Sequence, residues 1–149
     1  MPSTYTHNLY HAVFSTKRRV ASISVEVQER LYPFMGGVLR DLECVPIAIN
    51  GMEDHVHIVT RFPSKLAVSD MLRHVKQRSS EWIHDTFPAM RSFGWQDGYG
   101  GFTVSKSGLD DVASYVRNQK EHHQRFSSLD EFVELLKRHA IEFEAGMLE

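Results

Sequence analysis

The sequence contains a single cysteine, Cys44, which excludes an internal disulfide and any zinc site built from several thiolates. It also lacks an apolar run long enough to span a bilayer. The first residues, MPSTYTHNLYH, do not have the basic and then apolar layout of a signal peptide. These absences predict a cytoplasmic protein with no membrane partner, in which Cys44 belongs to an unreactive core.

A strong excess of either charge is also missing, since the formal net charge is −2. This argues against a protein coated in positive charge, but nucleic-acid binding requires only a local basic surface. Basic residues do cluster in an early turn and on a later helix. The candidate contacts to DNA phosphates are Lys17, Arg18, Arg19, Lys76 and Arg78. The alternative for such charged groups is that they are simply solvated.

No repeat, low-complexity tract or long linker interrupts the 149 residues, so we expect a single domain over 1–149. Apolar periodicity and turn residues predict eight elements. The strands are expected at 5–14, 44–50, 54–62 and 102–107, and the helices at 25–43, 66–86, 109–124 and 128–144. Ser128 and Glu131 form a capping-box pattern at the start of the last helix. Residues 127–149 are therefore predicted to be a helical extension.

The first six elements follow the order β-α-β-β-α-β, which is typical of the ferredoxin-like α+β fold, and the two remaining helices come after them. This fold predicts an antiparallel sheet with its helices on one face. The opposite face is then expected to be free for a ligand or a partner.

Two histidines, His55 and His57, alternate with apolar residues in the predicted strand DHVHIVTRF. Because successive side chains of a strand point to opposite faces, both imidazoles share one face, and Val56 and Ile58 share the other. The first face is expected to be half-exposed and the second buried. Two imidazole nitrogens a few ångströms apart suit a divalent metal ion, although two ordinary surface histidines would give the same pattern. Replacing a half-exposed ligand should change stability little.

On the third helix, Tyr115 and Gln119 lie four residues apart, along one edge of the buried stripe. His122 extends that edge, but we expect His122 and His123 to be helix-end residues without a chemical role. A tyrosine with a free pKa of about 10 is a weak nucleophile. It can attack a phosphodiester if a metal ion polarises the phosphate. The alternative is a boundary tyrosine that packs its ring and exposes its hydroxyl.

Several separated motifs are similar to those of the single-tyrosine HUH transposases of the IS200/IS605 type. These are YHAVFSTKRR, DHVHIV, LRHVKQRSS, FGWQDGYGGFTVS and YVRNQ, in that order along residues 5–126. The chain also resembles the repeat-associated tyrosine transposases, which are regarded as domesticated relatives.

The resemblance implies a role for each matching residue. His55 and His57 match the metal ligands, Gln119 matches the third ligand, and Tyr115 matches the nucleophile that forms a 5′-phosphotyrosine with single-stranded DNA. The family uses Mg2+ or Mn2+, recognises DNA hairpins, and forms homodimers with shared active sites. The resemblance therefore implies a metal-dependent enzyme that nicks and rejoins single-stranded DNA at hairpin-flanked sites. The alternative is a domesticated protein that binds or processes palindromic repeats and no longer transposes.

The irregular stretch before the last strand contains Trp95 and Tyr99, whose rings are candidates for stacking on unpaired bases. Equally, these rings would anchor a long loop to the core. An RNA-binding ferredoxin-like module is disfavoured because no strand has the paired aromatic signature of an RRM. A metal phosphohydrolase would need more carboxylates near the metal than MEDHVH supplies.

Overall fold

The computed structural model of the protein describes residues 3–122, 127–144 and 148. The strands are β1 (Asn8–Ser15), β2 (Val45–Met52), β3 (His55–Phe62) and β4 (Gly100–Thr103), and the helices are α1 (Val25–Asp41), α2 (Val68–Thr86), α3 (Leu109–Arg117), α4 (Gln119–His122) and α5 (Ser128–Arg138). No helix in the described part of the chain is long and apolar enough to cross a membrane.

The four strands form one sheet in the order β2-β3-β1-β4, and every neighbouring pair is antiparallel. The ferredoxin-like α+β fold predicted from the order of the elements is thus confirmed. In the central pair, Val13 lies opposite His57, and Ser15 lies opposite His55. This register places both histidines on a central strand, in the half of β3 that begins at His55.

The face of the sheet that contains Val56 and Ile58 is covered by α1 and α2, as predicted. Ser24 caps α1 by accepting a hydrogen bond from the backbone N–H of Val27. Phe14, Val56 and Ile58 are completely buried between the sheet and these helices. The large apolar core that fixes β3 therefore lies behind the histidines.

The opposite face, which contains His55 and His57 and was expected to be free, is also covered. Helix α3 packs Ala113 and Val116 on Ala48 and Val59. Helix α5 packs its apolar side chains on β1 and β4, in a cluster formed by Val13, Phe102, Phe132, Leu135 and Leu136. The expectation was wrong because the third and fourth predicted helices have strong apolar stripes that are buried on this face. His55 and His57, expected to be half-exposed, are 1% and 0% exposed.

Two helix boundaries differ from the prediction in ways that affect the site. Asn118, with φ −98° and ψ 22°, separates α3 from α4, so Tyr115 and Gln119 lie on different helices. Ser127, and not Ser128, caps α5 by accepting a hydrogen bond from the N–H of Asp130. The end of the third predicted helix, including His123, falls outside the described residues.

Candidate metal centre and nucleophile

The two histidines of β3 direct their Nε2 atoms toward a single carboxylate. Nε2 of His57 lies 2.7 Å from Oε1 of Glu131, and Nε2 of His55 lies 3.2 Å from the same oxygen. Their alternation on β3 places both rings on one sheet face. Gly51 on β2 permits the close backbone approach, because a Cβ there would lie 2.2 Å from the carbonyl oxygen of His55.

The other ring nitrogens are held by neighbouring side chains. Nδ1 of His55 lies 2.8 Å from Oδ1 of Asp54, and Nδ1 of His57 lies 2.8 Å from Nε2 of His11. Burial, and then the nearby His57, lower the pKa of His11 to about 3, so its ring is neutral. Such partners fix the orientation of imidazoles that bind a metal ion.

Asp54 is itself held by the start of α5. Its Oδ2 accepts a hydrogen bond of 2.8 Å from the hydroxyl of Ser128, and that hydroxyl accepts one of 3.1 Å from Nη1 of Arg19. Burial acts to lower the pKa of His55, but its hydrogen bonds to Asp54 and Glu131 outweigh this effect and raise the pKa to about 9. The metal-free site therefore favours the imidazolium form of His55.

Tyr115 and Gln119 reach the same carboxylate from α3 and α4. The hydroxyl of Tyr115 and Nε2 of Gln119 donate hydrogen bonds to Oε2 of Glu131, the latter at 2.8 Å. Oε1 of Gln119 lies 3.1 Å from Nε2 of His55. Burial, and then the negative charge of Glu131, raise the pKa of Tyr115 above its usual range. The phenol is therefore protonated in this arrangement.

His55, His57 and Glu131 each offer one ligand atom, and these atoms lie within 4.8 Å of one another. Two imidazoles and a carboxylate are a suitable donor set for a divalent ion, and the oxygen donors of Glu131 and Gln119 favour the harder cations. The residues present thus fit Mg2+ or Mn2+.

A cavity of about 210 Å³ opens beside the hydroxyl of Tyr115. It is lined by Tyr115, His122, Glu131, Glu134, Leu135 and Arg138. His122 was expected to have no chemical role, yet its Nε2 lies 3.4 Å from Oε2 of Glu131. The exposed cation at this cavity is Arg138, a residue that the sequence did not single out.

Sequence reasoning also missed Glu131 as a functional residue. The capping-box pattern assigned its carboxylate to the backbone of the helix start, whereas the structure buries it among the histidines. The spacing of Glu131 in the sequence could have identified it. Glu131 lies next to Phe132 and one turn before Leu135, on the apolar side of α5. A carboxylate on a buried stripe indicates a specific partner.

A sequence model of the family described as IS200-like transposases matches residues 4–119. The chain belongs to the IS200-like transposase family. The matched segment includes His55, His57, Tyr115 and Gln119, whereas Glu131 lies beyond its end.

This transposase is 30% identical over 122 residues to the transposase for insertion sequence element IS200 of Salmonella typhimurium, and the alignment covers 75% of this chain and 76% of that protein. The corresponding protein of Salmonella typhi gives the same values. A crystal structure attributed to a transposase of Deinococcus radiodurans covers 80% of this chain and 96% of its own, with a TM-score of 0.66 and 22% identity. A REP-associated tyrosine transposase bound to a REP hairpin covers 83% of this chain and 73% of its own, with a TM-score of 0.60 and 16% identity. At these identities, the two structures show a shared fold.

The basic turn predicted to contact DNA is a short 3-10 turn, Lys17–Arg19. The side chains of Lys17 and Arg18 are exposed, whereas Arg19 is half-buried against Ser128. Arg18 and Arg19 have φ values of 57° and 55°, so the backbone here is left-handed at two consecutive residues. The turn thus lies next to the Asp54 side of the site.

The two basic candidates on α2 bind other parts of the protein. Nζ of Lys76 donates hydrogen bonds of 2.6 and 2.7 Å to the carbonyl oxygens of Gln96 and Gly98. Arg78 pairs with Asp41 at 2.9 Å. Lys76 therefore holds the loop that precedes β4, and Arg78 joins α2 to α1.

The two aromatic candidates have different environments. The indole of Trp95 is buried against Phe14 and Phe93, and its Nε1 donates a hydrogen bond to the hydroxyl of Ser79 at 3.0 Å. This is the anchoring role considered as the alternative for this ring. Tyr99 is 38% exposed, so its ring is accessible from solvent. Cys44 is buried, as expected.

Proposed function

We propose that this IS200-like transposase nicks and rejoins single-stranded DNA at hairpin-flanked sites, with Tyr115 as the nucleophile and Mg2+ or Mn2+ as the cofactor. One observation carries the proposal: the Tyr115 hydroxyl and both histidine Nε2 atoms converge on the carboxylate of Glu131. A nucleophile and a metal site this close can act on the same phosphate.

In the cleavage step, Oη of Tyr115 attacks the phosphorus and the bond from phosphorus to the 3′ oxygen breaks. The tyrosine proton passes to Glu131, which already accepts a hydrogen bond from it. The 3′ oxygen leaves with its electron pair, takes a proton from solvent and becomes a 3′-OH. A divalent ion bound by His55, His57 and Gln119 would polarise the phosphate. Rejoining is the reverse reaction, in which a 3′-OH attacks the 5′-phosphotyrosine.

The DNA partner is proposed to be single-stranded DNA with a hairpin. The positions of Lys17 and Arg18 in an exposed turn beside the site suit phosphate contacts. The exposed ring of Tyr99 is suited to stacking on an unpaired base.

The proposal keeps the homodimer that the family resemblance implies. It does not keep the shared active sites. Within one chain, the ring centroids of His57 and Tyr115 are 5.7 Å apart. We therefore assign each site to a single chain. A dimer would use a surface other than the sheet face covered by α3 and α5.

Tyr115→Phe tests the proposal because it removes only the hydroxyl. Wild-type protein with Mn2+ and a hairpin oligonucleotide bearing a single-stranded flank should give a covalent adduct on a denaturing gel, and the Phe variant should give none. Both should bind the hairpin with similar affinity. An adduct with the Phe variant would exclude Tyr115 as the nucleophile. Hairpin binding by wild type without any adduct would favour the domesticated, binding-only alternative.

A further inference from the structure

The C-terminal helix α5 places one carboxylate at the centre of the site. From this position we infer that Glu131 is a ligand of the divalent ion, and hence that α5 is part of the metal centre. The inference rests on the proposed function, and it adds a ligand from beyond the segment, 4–119, that matches the family.

The contacts of Glu131 divide between its two oxygens. Oε1 faces Nε2 of His57 and of His55, the two atoms available for a metal ion. Oε2 accepts hydrogen bonds from Tyr115 and Gln119. One oxygen is thus placed to bind the ion while the other holds the nucleophile beside it.

The side chain of Glu131 is only 2% exposed. Burying a carboxylate is costly unless charged or hydrogen-bonding groups compensate for it. Imidazoles supply that compensation in the metal-free site, and a divalent cation would supply it more fully. The two histidines and Gln119 are neutral ligands when they bind a metal ion, so Glu131 contributes the negative charge that favours Mg2+ or Mn2+.

The position of Glu131 is set by three separate attachments of α5 to the rest of the chain. Ser128 binds Asp54 and Arg19 at the start of the helix. Further along, Phe132 lies against Gly100, where a Cβ would come within 2.3 Å of the ring. Leu135 and Leu136 pack on β1 and β4. The helix is thus built into the body of the protein, with Glu131 on its inner side.

Calorimetric titration of the full chain with MnCl2 tests this inference without requiring DNA. Glu131→Gln keeps the size of the side chain and removes its charge, so it should weaken Mn2+ binding by about tenfold or more, at least the loss seen for outer-shell partners. Asp130→Asn is the matched control, because it removes a charge from the adjacent, exposed position of the same helix. The Mn2+ affinity of this control should remain within about twofold of that of the wild type.

Three outcomes separate the inference from the proposed function. If Glu131→Gln binds Mn2+ as well as wild type, or more tightly, then Glu131 is not a ligand, and the inference fails. If His57→Ala abolishes binding in the same series, the metal-dependent function still stands. If wild-type protein binds no Mn2+, both fail.

A spectroscopic measurement covers the case in which Glu131→Gln does not fold. Wild-type protein carrying 13C in its glutamate carboxyl groups, loaded with Mn2+, should show a strong 13C coupling in electron–nuclear double resonance. Such a coupling requires a carboxylate bound directly to the ion. Its absence from the metal-loaded protein would overturn the inference.

Discussion

The hydroxyl of Tyr115 donates a hydrogen bond to Oε2 of Glu131, although the two residues lie on separate helices. The same carboxylate contacts His57 through its other oxygen. The proposed nucleophile, a candidate metal ligand and the carboxylate between them therefore belong to one chain. Because burial and then Glu131 raise the pKa of Tyr115, an attack by this phenol would require a proton acceptor.

Mixing two inactive variants tests whether one chain forms the whole site. The two proteins are His57→Ala and Tyr115→Phe. If His57 and Tyr115 of one chain form one site, every site in the mixture is damaged, and no cleavage should return after the chains have exchanged. Shared sites would restore roughly a quarter of wild-type activity, because about half of the dimers would be mixed and each would have one intact site. Recovery at that level, measured as oligonucleotide cleavage, would reject the single-chain arrangement.

His57→Ala should destabilise the protein, contrary to the expectation for a half-exposed ligand. His57 is completely buried and contacts both His11 and Glu131. Removing its ring leaves a cavity and deprives a buried carboxylate of a partner, which together should cost about 3 kcal/mol in the free energy of unfolding. Urea unfolding followed by circular dichroism measures the change. The exposed His7→Ala should stay within about 0.5 kcal/mol of wild type; equal losses in the two variants would contradict this prediction.

Arg138→Ala should weaken binding of single-stranded DNA. The side chain of Arg138 is 68% exposed and lines the cavity beside Tyr115, where an incoming phosphate would meet it. Losing one phosphate contact should reduce the slope of log affinity against log salt by about 1. Fluorescence anisotropy over a range of salt concentrations measures that slope. The control is Lys65→Ala, because Lys65 comes after the end of β3 that is farthest from His55. An equal decrease of the salt slope in this variant would indicate a nonspecific effect of charge.

Gly100→Ala should disturb both stability and the metal centre. The added methyl group would lie 2.3 Å from the ring of Phe132, so this ring must shift, and α5 with it if the ring has no room to turn. Overpacking of this kind costs about 1–3 kcal/mol, and movement of Glu131 should weaken Mn2+ binding as well. Thermal unfolding and calorimetry measure the two effects. Gly37→Ala on α1 meets no atom within 4 Å and should be neutral or stabilising by up to about 1 kcal/mol. If Gly100→Ala behaves in the same way, α5 is not held by this contact.

The thiol of Cys44 should react slowly in the folded protein. Burial raises its pKa to about 11, so little thiolate is present at pH 8, and access is restricted as well. Reaction with an aromatic disulfide reagent should therefore be slow without denaturant and fast in concentrated urea. Fast labelling of the native protein would show that this thiol is accessible.

The first five elements were predictable from the sequence because each has a strong local pattern, whereas the last strand was expected at 102–107 and lies at Gly100–Thr103, and the last helix was expected to reach 144 and ends at Arg138. The alternation around Val56 and Ile58 identified β3 and its buried face, and both side chains are completely buried. The spacing of Leu31 and Val38 identified α1 in the same way. These patterns are set by contacts between a short segment and its immediate neighbours in the fold, so they are visible locally.

The features of the site that the sequence did not predict all depend on packing between distant segments. Glu131 and Asp54 become site residues only when α5 docks on the sheet, and a capping-box pattern gave Glu131 a sufficient local explanation. The break at Asn118 is equally invisible, since Tyr115 and Gln119 fit one continuous helix by their spacing. His11 contacts His57 because β1 pairs with β3, although the two histidines are 46 residues apart in the chain.

The attachment of α5 also sets an order of events during synthesis. The strands and the helices α1 and α2 end by residue 103, so the segments that form most of the apolar core leave the ribosome before α5 does. Glu131 is separated from His57 by 74 residues, and closing so long a loop is entropically costly until its ends can pack. A nascent chain can thus bury much of its core before Glu131 reaches the sheet. The Glu131 carboxylate can join His55 and His57 only after α5 has emerged and docked on the sheet.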